Sequence, residues 1–277
     1  MKQLYCYHNG HIIPTAEAKV HISDLGLVRS YAVFDFFRTY NGQPFRMLDY
    51  LARFRNSASS LRLPFEYSDD EVWHIVGQLL VKSELEEAGI KLILTGGESS
   101  DSMTIEKPNL FIQVMELDEL SEEHYLNGVK LITSEFQREI PTVKSTHYLN
   151  AIKLQPVKES GGAYDVLYHF NNMVLEVPRN NFFLIVGDAL VTPKDDVLLG
   201  ITRKVVLELA RDHFNVEERA VELEELRDAD EAFVTGTTKR IVPVVHIDDY
   251  QIGSGRVGEG TKKLIKLFDE YVIQVNQ

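Results

Sequence analysis

Cysteine is almost absent: Cys6 is the only one in 277 residues. No internal disulfide is possible and a thiolate metal cluster is excluded, which fits a reducing compartment. Positive charge is also scarce. Lys and Arg total 29 against 42 Asp and Glu, a formal net charge of −13. That balance excludes nucleic acid and anionic membrane as main partners. Long apolar runs are missing as well. No segment approaches the ~20 apolar residues needed to cross a bilayer, and Met1 to Gly10 lack the apolar stretch of a signal peptide. The expectation is a soluble cytoplasmic protein. Gly-x-Ser-x-Gly, His-Glu-x-x-His and Gly-x-Gly-x-x-Gly do not occur. His8 and His11 have the i, i+3 spacing of some metal ligands, but they flank a hairpin turn with no third ligand nearby, so no metal is expected. An acidic chain can still bind an anion through local positive sites, and its arginines therefore need individual reading.

Hydrophobic residues make up 44% of the chain, enough for a full core in one large or two medium domains. Leu4 to Tyr7, Asn9-Gly10 and His11 to Pro14 read as a hairpin, and Val33 to Tyr40, Asn41-Gly42 and Gln43 to Met47 as a second. Leu51, Phe54, Ala58 and Leu61 recur at helical spacing in Asp49 to Leu63. Ser68 with Glu71 forms a capping-box pattern ahead of Val72, Ile75, Val76, Leu79 and Leu80. Leu92 to Thr95 and Leu110 to Val114 read as strands. The acidic stretch from Glu116 to Glu123 marks a boundary, which gives an N-terminal domain over 1–118, a linker over 119–127 and a C-terminal domain over 128–277. In the second part Val129 to Thr133 is a strand, and a helix follows Lys144 until Pro156 kinks or ends it. Val166 to Phe170, Asn171-Asn172 and Met173 to Val177 make a hairpin. Further strands cover Phe182 to Val186, Val216 to Val221 and Ala232 to Thr235, and a helix over Val257 to Gln277 closes the chain with Leu264, Leu267, Phe268, Tyr271 and Val275 on its stripe. Helices do not alternate strictly with strands, so two α+β domains are expected rather than a doubly wound sheet.

Two small, hydroxyl-rich turns carry the most chemistry. Gly200-Ile201-Thr202-Arg203 opens a helix in which Thr202 can cap and Val205, Val206 and Leu209 follow at helical spacing. Thr235-Gly236-Thr237-Thr238 ends an apolar strand. Unused N–H groups at a helix start form an anion site, and small residues let a phosphate come close. Each turn alone reads as an ordinary junction; the pair suggests one phosphate held from two sides. Lys144 sits between Val143 and the hydroxyl residues Ser145 and Thr146. A desolvated lysine has a lowered pKa and a free amine for Schiff-base formation, although taken in isolation the residues fit a solvated lysine at a helix start better. Glu176 is a lone acid at the end of an apolar strand. Burial would require a cationic partner such as a protonated pyridine nitrogen, and the alternative is an edge glutamate facing water. Arg53, on a helix, suits bidentate phosphate binding. Arg29 and Arg179 could each receive a carboxylate or stand as rim charges.

Taken in order, Arg53, Lys144, Glu176, Gly200-Ile201-Thr202-Arg203 and Thr235-Gly236-Thr237-Thr238 give the chain a resemblance to the class IV aminotransferases, the fold-type IV pyridoxal-phosphate enzymes. These include branched-chain aminotransferases, D-amino-acid aminotransferases and 4-amino-4-deoxychorismate lyases. The resemblance covers almost the whole length. It implies an α+β fold of two domains with pyridoxal 5'-phosphate in the interdomain cleft, and a homodimer whose partner helps close the site. It further implies that Lys144 attaches the cofactor and moves the substrate Cα proton, that Glu176 pairs with the pyridine nitrogen, and that Arg53 binds the phosphate with Ile201, Thr202, Thr237 and Thr238. Tyr148 would reach the ring hydroxyl, although its offset from Lys144 is one residue shorter than in branched-chain enzymes. The well-known D-amino-acid enzymes carry a tyrosine in place of Phe34 and an Arg-x-His trap in the loop matching Gly96 to Ile105, where this chain has neither arginine nor histidine. Phe34 is closer to the branched-chain pattern. Arg29 and Arg179 stand where branched-chain enzymes have tyrosine and small residues, and are similar to arginines in a less usual group of D-amino-acid transaminases. The resemblance thus implies an aminotransferase acting between an amino acid, D-configured by preference, and a keto acid such as 2-oxoglutarate. A branched-chain L-amino-acid enzyme, a lyase and a non-enzymatic cofactor carrier are the alternatives.

Overall fold

The computed structural model describes residues 2–275. They form two compact units, one made of the residues up to Asp118 together with Val143–His147, the other of Glu119–Thr142 and Tyr148–Val275. The short segment 143–147, which carries Lys144, thus groups with the first unit although the chain on both sides of it belongs to the second.

The first unit holds strands β1 (Tyr5–His8), β2 (His11–Pro14), β3 (Ala32–Tyr40), β4 (Gln43–Pro44), β5 (Gly89–Glu98) and β6 (Lys107–Met115), with helices α1 (Leu25–Arg29), α2 (Met47–Ser60) and α3 (Asp69–Ser83). Its sheet runs β2-β1-β6-β5-β3-β4. Asn41 and Gly42, both at positive φ, turn β3 into β4. The expected strand to Met47 stops at Pro44, which has no N–H to donate to a ladder. Arg46 then takes a left-handed conformation and Met47 opens α2. That helix buries Met47, Tyr50, Leu51, Phe54, Ser57 and Ala58, one continuous face. The capping box of Ser68 and Glu71 starts α3 as its pattern indicates. Helix α1 had no apolar period to announce it. Asp24, fully buried, creates it: its carboxylate accepts from the Gly26 N–H at 2.7 Å, the Thr95 hydroxyl at 2.8 Å and the Asn109 amide at 2.6 Å. One side chain therefore caps α1 and ties it to β5 and β6.

The second unit holds α4 (Glu122–Asn127), β7 (Val129–Glu135), α5 (Leu149–Lys153), α6 (Gln155–Ser160), β8 (Asp165–Phe170), β9 (Met173–Val174), β10 (Glu176–Val177), β11 (Asn180–Val186), β12 (Ala189–Pro193), α7 (Ile201–Ala210), β13 (Asn215–Arg219), β14 (Glu231–Gly236), β15 (Arg240–Ile247), β16 (Tyr250–Gln251) and α8 (Glu259–Val275). Its sheet follows β13-β12-β11-β14-β15-β7-β8-β9, with β10 on β11 and β16 on β15. The architecture is α+β, as expected. Pro156 falls in the first turn of α6, where a missing N–H costs nothing, so the single helix expected here is two short ones. The strand expected over Met173 to Val177 is broken at Leu175: β9 pairs with β8, and β10 turns to pair with β11, placing Glu176 opposite Asn181. Strands β12 and β15 were not evident in the sequence. Proline ends the first, and Pro243 sits inside the second just ahead of a register shift. In α8 the buried stripe is Thr261, Leu264, Phe268 and Val272, while Val275, on the same face but at the end of the helix, is exposed. The expected continuation of this helix to Gln277 lies outside the described residues. Among the described residues no helix is long and apolar enough to cross a membrane.

Asp24→Ala should leave the Thr95 hydroxyl and the Asn109 amide N–H without their shared buried acceptor and uncap α1. The expected loss is about 2–4 kcal/mol of unfolding free energy, read as a lowered denaturation midpoint. A midpoint equal to wild type would show that α1 is held by something other than Asp24.

Candidate functional site

In the first unit, β3 and α2 arrange the chemistry. The Lys144 segment lies along the start of β3: the Phe34 N–H donates to the Lys144 carbonyl at 2.9 Å, and Val33 bridges Ser145. The Lys144 N–H donates to Ser57 Oγ at 3.1 Å. The amine, half-buried, stands 4.7 Å from the centre of the Phe34 ring. Lys91, on β5, places its own amine 5.5 Å from the same ring centre. Arg53 lies one helical turn before Ser57, on the same face of α2. Its guanidinium grips buried Asp35 with both arms, Nη2 to Oδ1 at 2.6 Å and Nε to Oδ2 at 2.9 Å. The fork fixes the guanidinium plane, which sequence reading treated as a solitary cation. Arg29 ends α1, exposed, with its Nη1 on the Val28 carbonyl at 2.8 Å.

In the second unit, Glu176 is buried and is not a lone acid. Arg138 supplies the cation: Nε donates to Oε1 at 2.9 Å, joined there by Nη2. Oε2 accepts the Leu198 N–H at 3.0 Å. Sequence reading missed Arg138 because its pairing is non-local; no pattern around it marks it out. Tyr168, buried beside this group, has its phenol pushed up to about 12, first by burial and further by the charges of Asp165, Tyr148 and Glu176. Tyr148 thus lies within electrostatic reach of the same tyrosine as Glu176.

The two small turns meet on adjacent residues of β11. Gly200 is the N-cap of α7 and no side chain caps the helix; Thr202 is buried in its first turn rather than capping it. The first intrahelical bond runs from the Lys204 N–H to the Gly200 carbonyl at 2.9 Å, so the N–H groups of Ile201, Thr202 and Arg203 precede the ladder. A Cβ placed on Gly200 would lie 2.1 Å from Asn181 Oδ1. Asn181 is registered opposite Thr235. A Cβ on Gly236 would lie 2.2 Å from Asn180 Nδ2. Thr237 and Thr238 follow, half-buried, before β15. Thr235 Oγ1 and Asn180 Oδ1 are buried polar atoms with no hydrogen-bond partner.

Lys239, next along this turn, is the other residue that sequence reading missed. Its amine is 4.5 Å from the centre of the Tyr164 ring. Its pKa is lowered to about 8, first by burial and next by the charge of Arg179, against a smaller upward pull from Asp165. Arg179 itself is exposed in the turn between β10 and β11. The Tyr164 phenol is pushed up by burial. The only available signal was the run of threonines ahead of Lys239. Among the described residues no cluster of His, Cys, Asp and Glu could hold a metal ion, and His8 stacks on Phe111 at 4.3 Å.

The family description "Amino-transferase class IV" matches residues 32–247. The chain is 32% identical to a "Putative branched-chain-amino-acid aminotransferase" of Methanocaldococcus jannaschii, covering 95% of both chains. It is 29% identical to a "D-alanine aminotransferase" of Staphylococcus haemolyticus, covering 95% of this chain and 96% of that one. Its fold is similar to that of the Escherichia coli branched-chain amino acid aminotransferase, with TM-score 0.90, 27% identity and coverage of 97% of this chain and 94% of that one.

Arg138→Leu should strand the Glu176 carboxylate in a buried position. The expected cost is about 3–5 kcal/mol, with part of it recovered when Glu176→Gln is added. Chemical denaturation of the three variants measures this, and purely additive losses would show that the two side chains do not act as a pair.

Proposed function

The chain belongs to the class IV aminotransferases, and we propose that it moves amino groups between a D-amino acid and a 2-keto acid such as 2-oxoglutarate. The family's cofactor is pyridoxal 5'-phosphate. Three features of this chain suit that group: an uncapped helix start beside a glycine, buried hydroxyl and amide oxygens left without partners next to the second turn, and a buried carboxylate held in place by a guanidinium. When bound, the cofactor supplies an electron sink for the charge that develops at the substrate Cα.

The residue roles proposed here are those that the family resemblance implies. Lys144 is the attachment point and the base that carries the Cα proton, with Phe34 screening its amine from water on one side. Glu176 would pair with the ring nitrogen, its carboxylate oriented by Arg138. Arg53, its guanidinium held in plane by Asp35, would hold the phosphate with Ile201, Thr202, Thr237 and Thr238. Tyr148 would serve the ring hydroxyl.

The observation that carries the substrate reading is the pair of cations Arg179 and Lys239. Lys239 is drawn out of water and lies within the field of Arg179, both of which disfavour its charge, and an anionic ligand offsets that cost. An amino acid's carboxylate is such a ligand. Arg29, exposed at the end of α1, is the third candidate, offered to the neighbouring subunit of a homodimer in the cytoplasm. The similarity to D-alanine aminotransferases supports the D reading; the similarity to the Methanocaldococcus jannaschii protein supports transamination of branched-chain L-amino acids instead.

Half-reactions followed at the visible absorption band of the bound cofactor separate these readings. D-alanine or D-glutamate should bleach the band faster than L-leucine, and a faster response to L-leucine reverses the substrate assignment. Arg179→Ala should slow amino-acid turnover while the band persists; loss of the band would place Arg179 on the cofactor. Lys239 is charged below pH ~8 and neutral above it, so keto-acid affinity should fall as pH rises through about 8. Lys239→Met should weaken binding below that pH and flatten the profile.

A further inference from the structure

We propose that Asn180 and Asn181 are positioning residues that set the two phosphate turns and, through Leu198, fix their distance from the Glu176 carboxylate. The inference rests on the phosphate-site reading above. Both asparagines are buried, at 6% and 5% exposure. Each occupies the space where one turn glycine would otherwise carry a side chain. Asn181 Oδ1 lies 2.1 Å from the Cβ position of Gly200, and Asn180 Nδ2 lies 2.2 Å from that of Gly236. Real Cβ atoms essentially never approach a neighbour within 3.0 Å, so a side chain at either glycine would force the facing amide to move.

Leu198 ties this bracket to the carboxylate. Its carbonyl accepts Asn181 Nδ2 at 2.6 Å while its N–H donates to Glu176 Oε2 at 3.0 Å. Asn181 also faces Glu176 across the β10–β11 pairing and Thr235 across the β11–β14 pairing. A single residue therefore links the group that reads the ring nitrogen to the strand beside the phosphate-binding helix. A rigid ligand with a phosphate at one end and a ring nitrogen at the other needs that spacing held constant. Asn180 Oδ1 and Thr235 Oγ1 are both buried without a partner at the second turn. That polarity is a cost to the protein by itself; the Thr235 hydroxyl can donate to a phosphate oxygen, and Asn180 Oδ1 can accept from an ordered water.

The test uses the full-length enzyme freed of cofactor and titrated with pyridoxal 5'-phosphate and, separately, with pyridoxal, which lacks the phosphate. Gly200→Ala pushes a methyl against Asn181 Oδ1 and should weaken the phosphorylated ligand about tenfold while changing pyridoxal by less than about threefold. Asn181→Ala should produce a similar selective loss. In the double variant the methyl has room, so the losses should not add; additive losses, or equal losses for both ligands, overturn the inference. Circular dichroism and the thermal midpoint identify a variant that fails to fold, and Gly236→Ala with Asn180→Ala then repeats the cycle at the other turn. If the wild-type protein itself shows no preference for the phosphorylated ligand, the phosphate-site reading fails. If that preference is present in wild type and survives in every variant, only the role of the asparagines fails.

Discussion

A carboxylate taken out of water must be met by donors, and Glu176 is the charge around which the second unit's site is organised. Its burial costs several kcal/mol unless a cation and hydrogen bonds replace water. Arg138 and the Leu198 N–H are the replacements. Meeting that requirement orders more than one side chain. The chain breaks at Leu175 so that Glu176 can leave the β8 hairpin and join β11. The loop before α7 is pinned at Leu198, and Asn181 uses the same residue's carbonyl to hold Gly200 close. The placement of the α7 start is thus tied to how a buried acid is satisfied.

The first unit solves a parallel problem on one strand. β3 alternates its side chains, so Asp35 faces α2 and Phe34 faces the other way. The inward Asp35 takes Arg53, and Ser57 one turn later takes the Lys144 backbone. Helix α2 therefore positions a guanidinium and an amine-bearing segment from a single face. The Lys144 backbone is held at two points, its N–H on Ser57 and its carbonyl on Phe34. A fixed base under a long flexible side chain suits the role proposed for Lys144, attachment and proton transfer.

Electrostatics separates global from local character. The chain is strongly acidic, and exposed arginines are commonly matched by carboxylates, as with Arg219 between Glu217 and Glu225. Arg179 and Lys239 depart from that pattern: the largest influences on Lys239 are burial and a like charge. A local positive setting in an acidic protein concentrates a small anion while the overall field repels polyanions. That combination accords with an enzyme whose substrates carry carboxylates.

Much of this was legible in the sequence because it depends on neighbours along the chain. The Ser68 capping box, the Asn171-Asn172 turn and the apolar face of α2 rest on local periodicity or local turn chemistry, while the order of Arg53, Lys144, Glu176 and the two small turns carries the resemblance to the family. They were enough to identify the fold class, the family and its cofactor. Long-range pairing lay beyond that reading. Arg138 and Asp35 became visible as partners only when strands and helices distant in sequence were brought together. Helix α1 exists because Asp24 meets Thr95 and Asn109 from two other strands. The turn glycines read as room for a phosphate; that a side chain there would also meet Asn180 or Asn181 is visible only in the fold. Local sequence determines which backbone shapes are cheap; only tertiary packing decides which buried charge meets which donor, because that choice is made by desolvation and close contact rather than by spacing along the chain.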